Sequence, residues 1–123
     1  MRLIKVTIGG KQFEGDFANP DVLERCEKAI DKAFKEATQI EEFEIDSQAV
    51  RHQCNAICKC ADEILGEGSS ARLFPDGADL LSCLEVYKEL CEMKVKQVVP
   101  LINEKRKKYS LERAQRVDKH ANR

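Results

Sequence analysis

At Asn19-Pro20 the chain changes its hydrophobic period, and that change limits what it can fold into. Before it, residues 2–8 alternate around Leu3, Ile4, Val6 and Ile8, with β-branched residues dominating, which is the pattern of a strand. Gly9-Gly10 is a hairpin signal, and Gln12 to Phe17 offers a second strand with Phe13 and Phe17 as its apolar members. Gly15 inside that run predicts a bulge or an early end to pairing. After Asn19-Pro20, apolar residues recur every three or four positions. A two-stranded ribbon is marginal alone in water, so this one must pack on the helices that follow or join another chain's sheet.

Asn19 and Pro20 read as the N-cap and first residue of a helix, because proline there loses no needed hydrogen bond. Its apolar face is Val22, Cys26, Ala29/Ile30, Ala33 and Ala37, opposite Glu24, Glu27, Lys28, Asp31, Lys32 and Lys35. Residues 41–46 form an acidic connector, with Phe43 or Ile45 packing back on the core. Asp46 or Ser47 caps the next helix, whose apolar face is Val50, Cys54, Ile57, Ala61 and Ile64/Leu65, and Gly66 and Gly68 stop it. Ser69 caps a short helix through Leu73-Phe74, broken by Pro75-Asp76-Gly77. From Ala78 a long helix carries Leu80, Leu84, Tyr87, Cys91, Val95 and Val98 on one stripe, widened by Leu81 and Leu90. Pro100 is expected to kink or end it, since proline lacks a backbone donor and clashes with the carbonyl four residues earlier. Leu101-Ile102 continue it after the kink. The expected architecture is α+β and predominantly α: a β-hairpin, then three main helices with a short helical insertion, in one domain over residues 1–103. Residues 104–123 are a basic tail, frayed helix or disordered.

The net charge of −1 conceals a division. Residues 94–123 hold ten Lys and Arg against three Asp and Glu, a balance of +7, which leaves −8 on residues 1–93. A basic tail on an acidic body interacts with something or is simply solvated. Lys105, Arg106, Lys107 and Lys108 with Tyr109, extended by Arg113, Arg116, Lys119 and Arg123, have the make-up of a nucleic-acid patch. The acidic body repels a polyanion, which favours a protein partner and leaves nucleic acid or a nucleotide open.

No apolar run approaches the ~20 residues that span a bilayer. The N-terminus carries no leader pattern, which points to the cytoplasm. In that reducing compartment the six cysteines, Cys26, Cys54, Cys58, Cys60, Cys83 and Cys91, are not expected to form disulfides. Cys54 and Cys58 share a helix face, whereas Cys60 lies about 160–200° away from both at 3.6 residues per turn. That is not zinc-site spacing, and the thiols read as small hydrophobes filling the core.

Chemistry is not signalled. The histidines are His52, mid-helix and partly exposed, and His120, in the tail. His52 cannot face Cys54 two residues away on a helix. No phosphate-cradling glycine loop or paired-carboxylate arrangement is present. The sequence therefore reads as a non-enzyme with no cofactor and no metal.

The N-terminal hairpin, the helix after it, GEGSSARLF at 66–74 with Cys83-Leu84, and YSLERAQR at 109–116 together resemble a family of small proteins in tailed phages and prophages of Firmicutes type. Members are regarded as tail assembly chaperones and often end in Tyr-Ser-Pro-Asn-Arg-Ala-Gln-Arg, where this chain has Leu111 and Glu112 in place of Pro-Asn. The resemblance implies a binding function: holding the long helical tape-measure protein and recruiting tail-tube subunits before assembly, in the bacterial host cytoplasm. The candidate partner surface is Phe13 and Phe17 on the ribbon, Leu73 and Phe74 beside the Pro-Asp-Gly turn, and the basic tail residues. Core packing is the competing assignment for the four apolar residues. The ribbon's free edges and the stripe at Leu81 and Leu90 invite a homo-oligomer. The alternative function is a phage anti-defence protein that sequesters a signalling nucleotide or masks a host defence protein.

Overall fold

The computed structural model describes residues 2–39, 43 and 45–109. Gly9 (φ 59°) and Gly10 (φ 75°) both take left-handed conformations, which gives the two-residue turn that matches strand twist. They join β1 (Ile4–Ile8) to β2 (Lys11–Gly15) as an antiparallel pair, with Val6 opposite Phe13 and Ile4 opposite Gly15. Val6, Ile8 and Phe13 point into the core, and Phe17 follows them. Gly15 makes no bulge but is the early end to pairing: its partnership with Ile4 is the last of the ladder, two residues short of Phe17, and a Cβ on it would stand 2.5–2.9 Å from the Phe17 ring. Its missing side chain is the room that ring occupies.

The helix α1 (Pro20–Thr38) starts as expected, with Asn19 Oδ1 accepting from the Asp21 N–H at 2.9 Å. It buries Cys26, Ala29 and Ala33. Its last carbonyls are satisfied from the next helix, α2 (Asp46–Leu65): His52 Nε2–H donates to Glu36 O at 2.7 Å and Gln53 Nε2 to Ala37 O at 3.1 Å. Phe43 packs back with its ring 5.0 Å from that of His52, while Ile45 is left exposed. The expected cap on α2 is corrected: Ile45 holds the N-cap position with no side-chain bond, and Asp46 and Ser47 are already helical. The single apolar face is corrected too. Cys60, Ala61 and Ile64 join the main core with α1 and the hairpin, whereas Cys54 and Ile57 form a second cluster with Cys83. A helix between two neighbours buries two faces, and Val50 at its exposed start is not in either.

Gly66 (φ 113°) ends α2 and Gly68 (φ 85°) opens α3 (Ser69–Leu73). Ser69 is buried rather than capping. The Asp62 carboxylate does that work, accepting from the Ser70 N–H at 2.8 Å and the Ser70 hydroxyl at 3.0 Å. From α3, Arg72 donates to Gln12 O at 3.0 Å and lies 4.4 Å over the Phe13 ring, tying β2 to the helices.

The helix α4 (Leu80–Met93) is capped by Asp79, which accepts from the Ser82 N–H at 2.9 Å and hydroxyl at 2.7 Å. Its buried face is Cys83, Val86, Leu90 and Met93. The expected stripe was rotated: Leu81, Leu84, Cys91 and Val95 are exposed, Leu80 and Tyr87 are half-buried, and Leu90, assigned to a self-association surface, is in the core. Leucines line both sides of this helix, and only its contacts with α2 and the hairpin decide which are covered. Pro100 does not end the helical run. A π-helical turn (Lys94–Val98) precedes it, with the Val99 N–H bonded to Lys94 O, and α5 (Val99–Tyr109) follows. The proline thus falls in the first turn of α5, where a missing N–H costs least. The basic segment is helical as far as Tyr109.

Three measurements check this packing. Gly15→Ala is expected to lower stability by about 1–3 kcal/mol in urea unfolding, because the buried Phe17 ring must move. Bonds from Ser82 hold the Asp79 carboxyl below its usual range, so the cap contributes fully above the unfolded carboxylate pKa and fades as pH falls through the lower folded value. Asp79→Asn is expected to flatten that part of the acid-side loss. Burial pushes the Cys60 thiol up to about 12 and raises Cys26 and Cys83 as well. Iodoacetamide labelling read by mass spectrometry is therefore expected to modify exposed Cys91 first, and Cys26, Cys54, Cys60 and Cys83 only on unfolding.

Candidate functional site

The π-helical turn fixes where α5 lies. Val98 is fully buried beneath it, and Gln97 reaches sideways to β1, accepting from the Thr7 N–H at 2.7 Å and donating to Thr7 O at 2.9 Å. From that anchor α5 runs beside the N-terminal half of β1 with the chain direction reversed. On its near side it presents Leu101, Ile102, Lys105, Arg106 and Tyr109, which are one helix face by spacing. Across from them stand Arg2, Leu3, Ile4, Lys5 and Ala18. The space between is an open groove of about 570 Å³.

The floor and walls are apolar: Leu3, Ile4, Ala18, Leu101 and Ile102, with Leu3 52% exposed and Leu101 38% exposed. The rim is basic, from Arg2, Lys5, Lys105 and Arg106, and among the described residues no carboxylate lines the groove. Lys5 Nζ is 4.0 Å from Glu14, an exposed pair that constrains it little. Arg106 donates to Asn103 Oδ1 at 3.3 Å, and the ammonium groups of Lys105 and Lys108 sit 5.7 and 5.5 Å from the centre of the Tyr109 ring. An apolar floor under a ring of like charges can hold an amphipathic acidic partner. Among the described residues it offers no nucleophile paired with a base.

The residues singled out from sequence are scattered by the fold. Phe13 and Phe17 lie in the core at 3% and 1% exposure, so as folded they present no docking surface. Leu73 and Phe74 pack against the core and border a second cavity of about 330 Å³ with Ser82, Glu85 and Glu89. Lys105 and Arg106 are on the groove, whereas Lys107 and Lys108 sit on α5 without lining it. Arg113, Arg116, Lys119 and Arg123 lie outside the described residues, as do Glu41, Glu42 and Glu44 of the acidic connector. Cys26, Cys54, Cys60 and Cys83 fill core space, while Cys58 is half-buried and Cys91 exposed. Sequence reasoning missed Arg2, Leu3, Ile4, Lys5, Ala18, Leu101, Ile102 and Tyr109 as a set. One signal was present: Leu101-Ile102 and Lys105-Arg106 repeat at i, i+4, but ending the domain at Asn103 separated them.

Among the described residues no cluster of three or more side chains could hold a metal, and no helix is long and apolar enough to cross a membrane. Neither the curated proteins nor the solved structures contain a match to the chain. A protein-family model does match it, over residues 9–120, a span that takes in β2, every described helix and most of the basic segment and leaves β1 outside. The chain belongs to that family, described as a family of unknown function (DUF6673).

Proposed function

We propose that this protein is a binding protein of tailed-phage tail assembly, a chaperone-like holder of a segment of the tape-measure or tail-tube protein. The observation that carries the reading is the groove between β1 and α5. It combines exposed apolar side chains with four cations and, among the described residues, no catalytic pair. An assembly chaperone needs to cover an aggregation-prone apolar segment of its client without altering it. Such a surface supplies apolar contact for holding, and charge for selecting the client and speeding encounter. The likeness of GEGSSARLF and YSLERAQR to the tail chaperones gives the client class.

A second reading draws on the same rim. Arg2, Lys5, Lys105 and Arg106 beside the Tyr109 ring could equally clamp the phosphates and base of a signalling nucleotide, as an anti-defence protein would. The apolar floor favours the protein client, since a phosphate needs donors rather than leucines.

Co-expression with tagged tape-measure and tail-tube proteins separates the two. Co-purification is expected with the wild-type chain, is lost in Leu101→Glu, and weakens in Arg106→Glu with a reduced salt dependence. Deleting residues 104–123 is also expected to abolish it, because Lys105, Arg106 and Tyr109 go with them. Binding of no tail protein together with tight uptake of a cyclic nucleotide would sink the chaperone reading.

A further inference from the structure

The hairpin turn determines which backbone groups of β1 face the groove. A two-residue turn makes Ile8 and Lys11 a hydrogen-bonded pair, and alternation makes Val6–Phe13 and Ile4–Gly15 the next such pairs. The N–H and C=O of Thr7 and Lys5 therefore point to the other edge, away from β2. At Thr7 both are taken by the single side-chain amide of Gln97, which reproduces the two bonds a neighbouring strand would make. Two residues back, roughly 6.8 Å along the strand, the Lys5 groups face the mouth of the groove.

We propose that the groove takes an extended peptide segment as a third strand on β1, pairing with Lys5 and Leu3, with apolar and acidic side chains in alternation. This deepens the binding function proposed above and rests on it. Along such a strand one set of side chains falls on Ile4, Leu101 and Ile102, and the alternate set falls near Lys5 and the cationic rim. Gln97 ends the ladder and so fixes the register. Charge selects the occupant: a second copy would bring its own Arg2 and Lys5 against the same residues, and like charges across a strand pair are destabilising. The chain's own residues 110–123 are net basic and are disfavoured for the same reason.

The test is titration of the full chain with an acetylated, amidated eight-residue peptide of alternating valine and glutamate. Two companions carry N-methyl groups on the valine amides or on the glutamate amides, which removes strand hydrogen bonds without changing charge. The parent is expected to bind, and one methylated form to lose roughly tenfold or more in affinity, as two or more backbone bonds go. The Lys5 amide is expected to gain protection from hydrogen exchange in the complex. On the protein side, Lys5→Pro removes the outward N–H and leaves the β2 pairing intact, so it is expected to bind roughly tenfold more weakly than Lys5→Ala. Equal binding of all three peptides, or no binding of the parent at millimolar concentration, overturns strand addition. Co-purification of tail proteins that persists in either case leaves client holding in place with strand pairing gone.

Discussion

Two five-residue strands cannot hold together by themselves in water, and the rest of the molecule is arranged around fixing them. Val6, Ile8, Phe13 and Phe17 supply the apolar contact. Three polar clamps then come from three different elements. Arg72 of α3 bonds to Gln12 O of β2, a carboxylate oxygen of Glu89 on α4 accepts from the Gly9 N–H at the turn, and Gln97 of the π-helical turn takes both backbone groups of Thr7. The Arg72 and Gln97 clamps use side chains for bonds that a further strand on either edge would make in a larger sheet, and the Glu89 clamp holds the turn. The edge is closed at Thr7 and reaches the groove at Lys5, so the hairpin is stable while part of it stays available.

The π-helical turn links stability to the candidate site. It lets the helical run pass Pro100, seats Val98 in the core and turns Gln97 toward β1. An uninterrupted α-helix would advance the residues beyond it by a different angle, and Leu101, Ile102 and Lys105 would not share the face that meets Leu3 and Ile4. Such turns recur at functional sites because they re-aim side chains at small energetic cost.

Charge is divided along the chain at about residue 94, and the fold gives the two parts of the basic segment different work. Lys94 pairs with Glu27 at 3.2 Å and Lys96 with Glu92, which joins the segment's beginning to the acidic body. These pairs are exposed and contribute little to stability. Lys105 and Arg106 line the groove instead, where their charges are left for the rim.

Local rules decided much of this protein. Asn19-Pro20 started α1, Gly9-Gly10 turned the hairpin and Gly66 ended α2, because a cap, a left-handed turn and a helix stop each depend on a few adjacent residues. The α+β order follows from the change of apolar spacing at residue 20. What local patterning could not decide was which side of a many-sided apolar helix is covered. Leu84 and Leu90 are equally apolar, yet the contacts of α4 bury one and leave the other 47% exposed. Gly15 does end the pairing, but that its empty face holds the Phe17 ring was not legible locally, and Ser69 read as a cap until Asp62 reached across eight residues to Ser70. The groove depended on the tertiary structure most of all. Its walls are Arg2–Lys5 with Ala18 on one side and Leu101–Tyr109 on the other, at least 83 residues apart in sequence, and the Gln97–Thr7 contact together with buried Val98 sets them face to face.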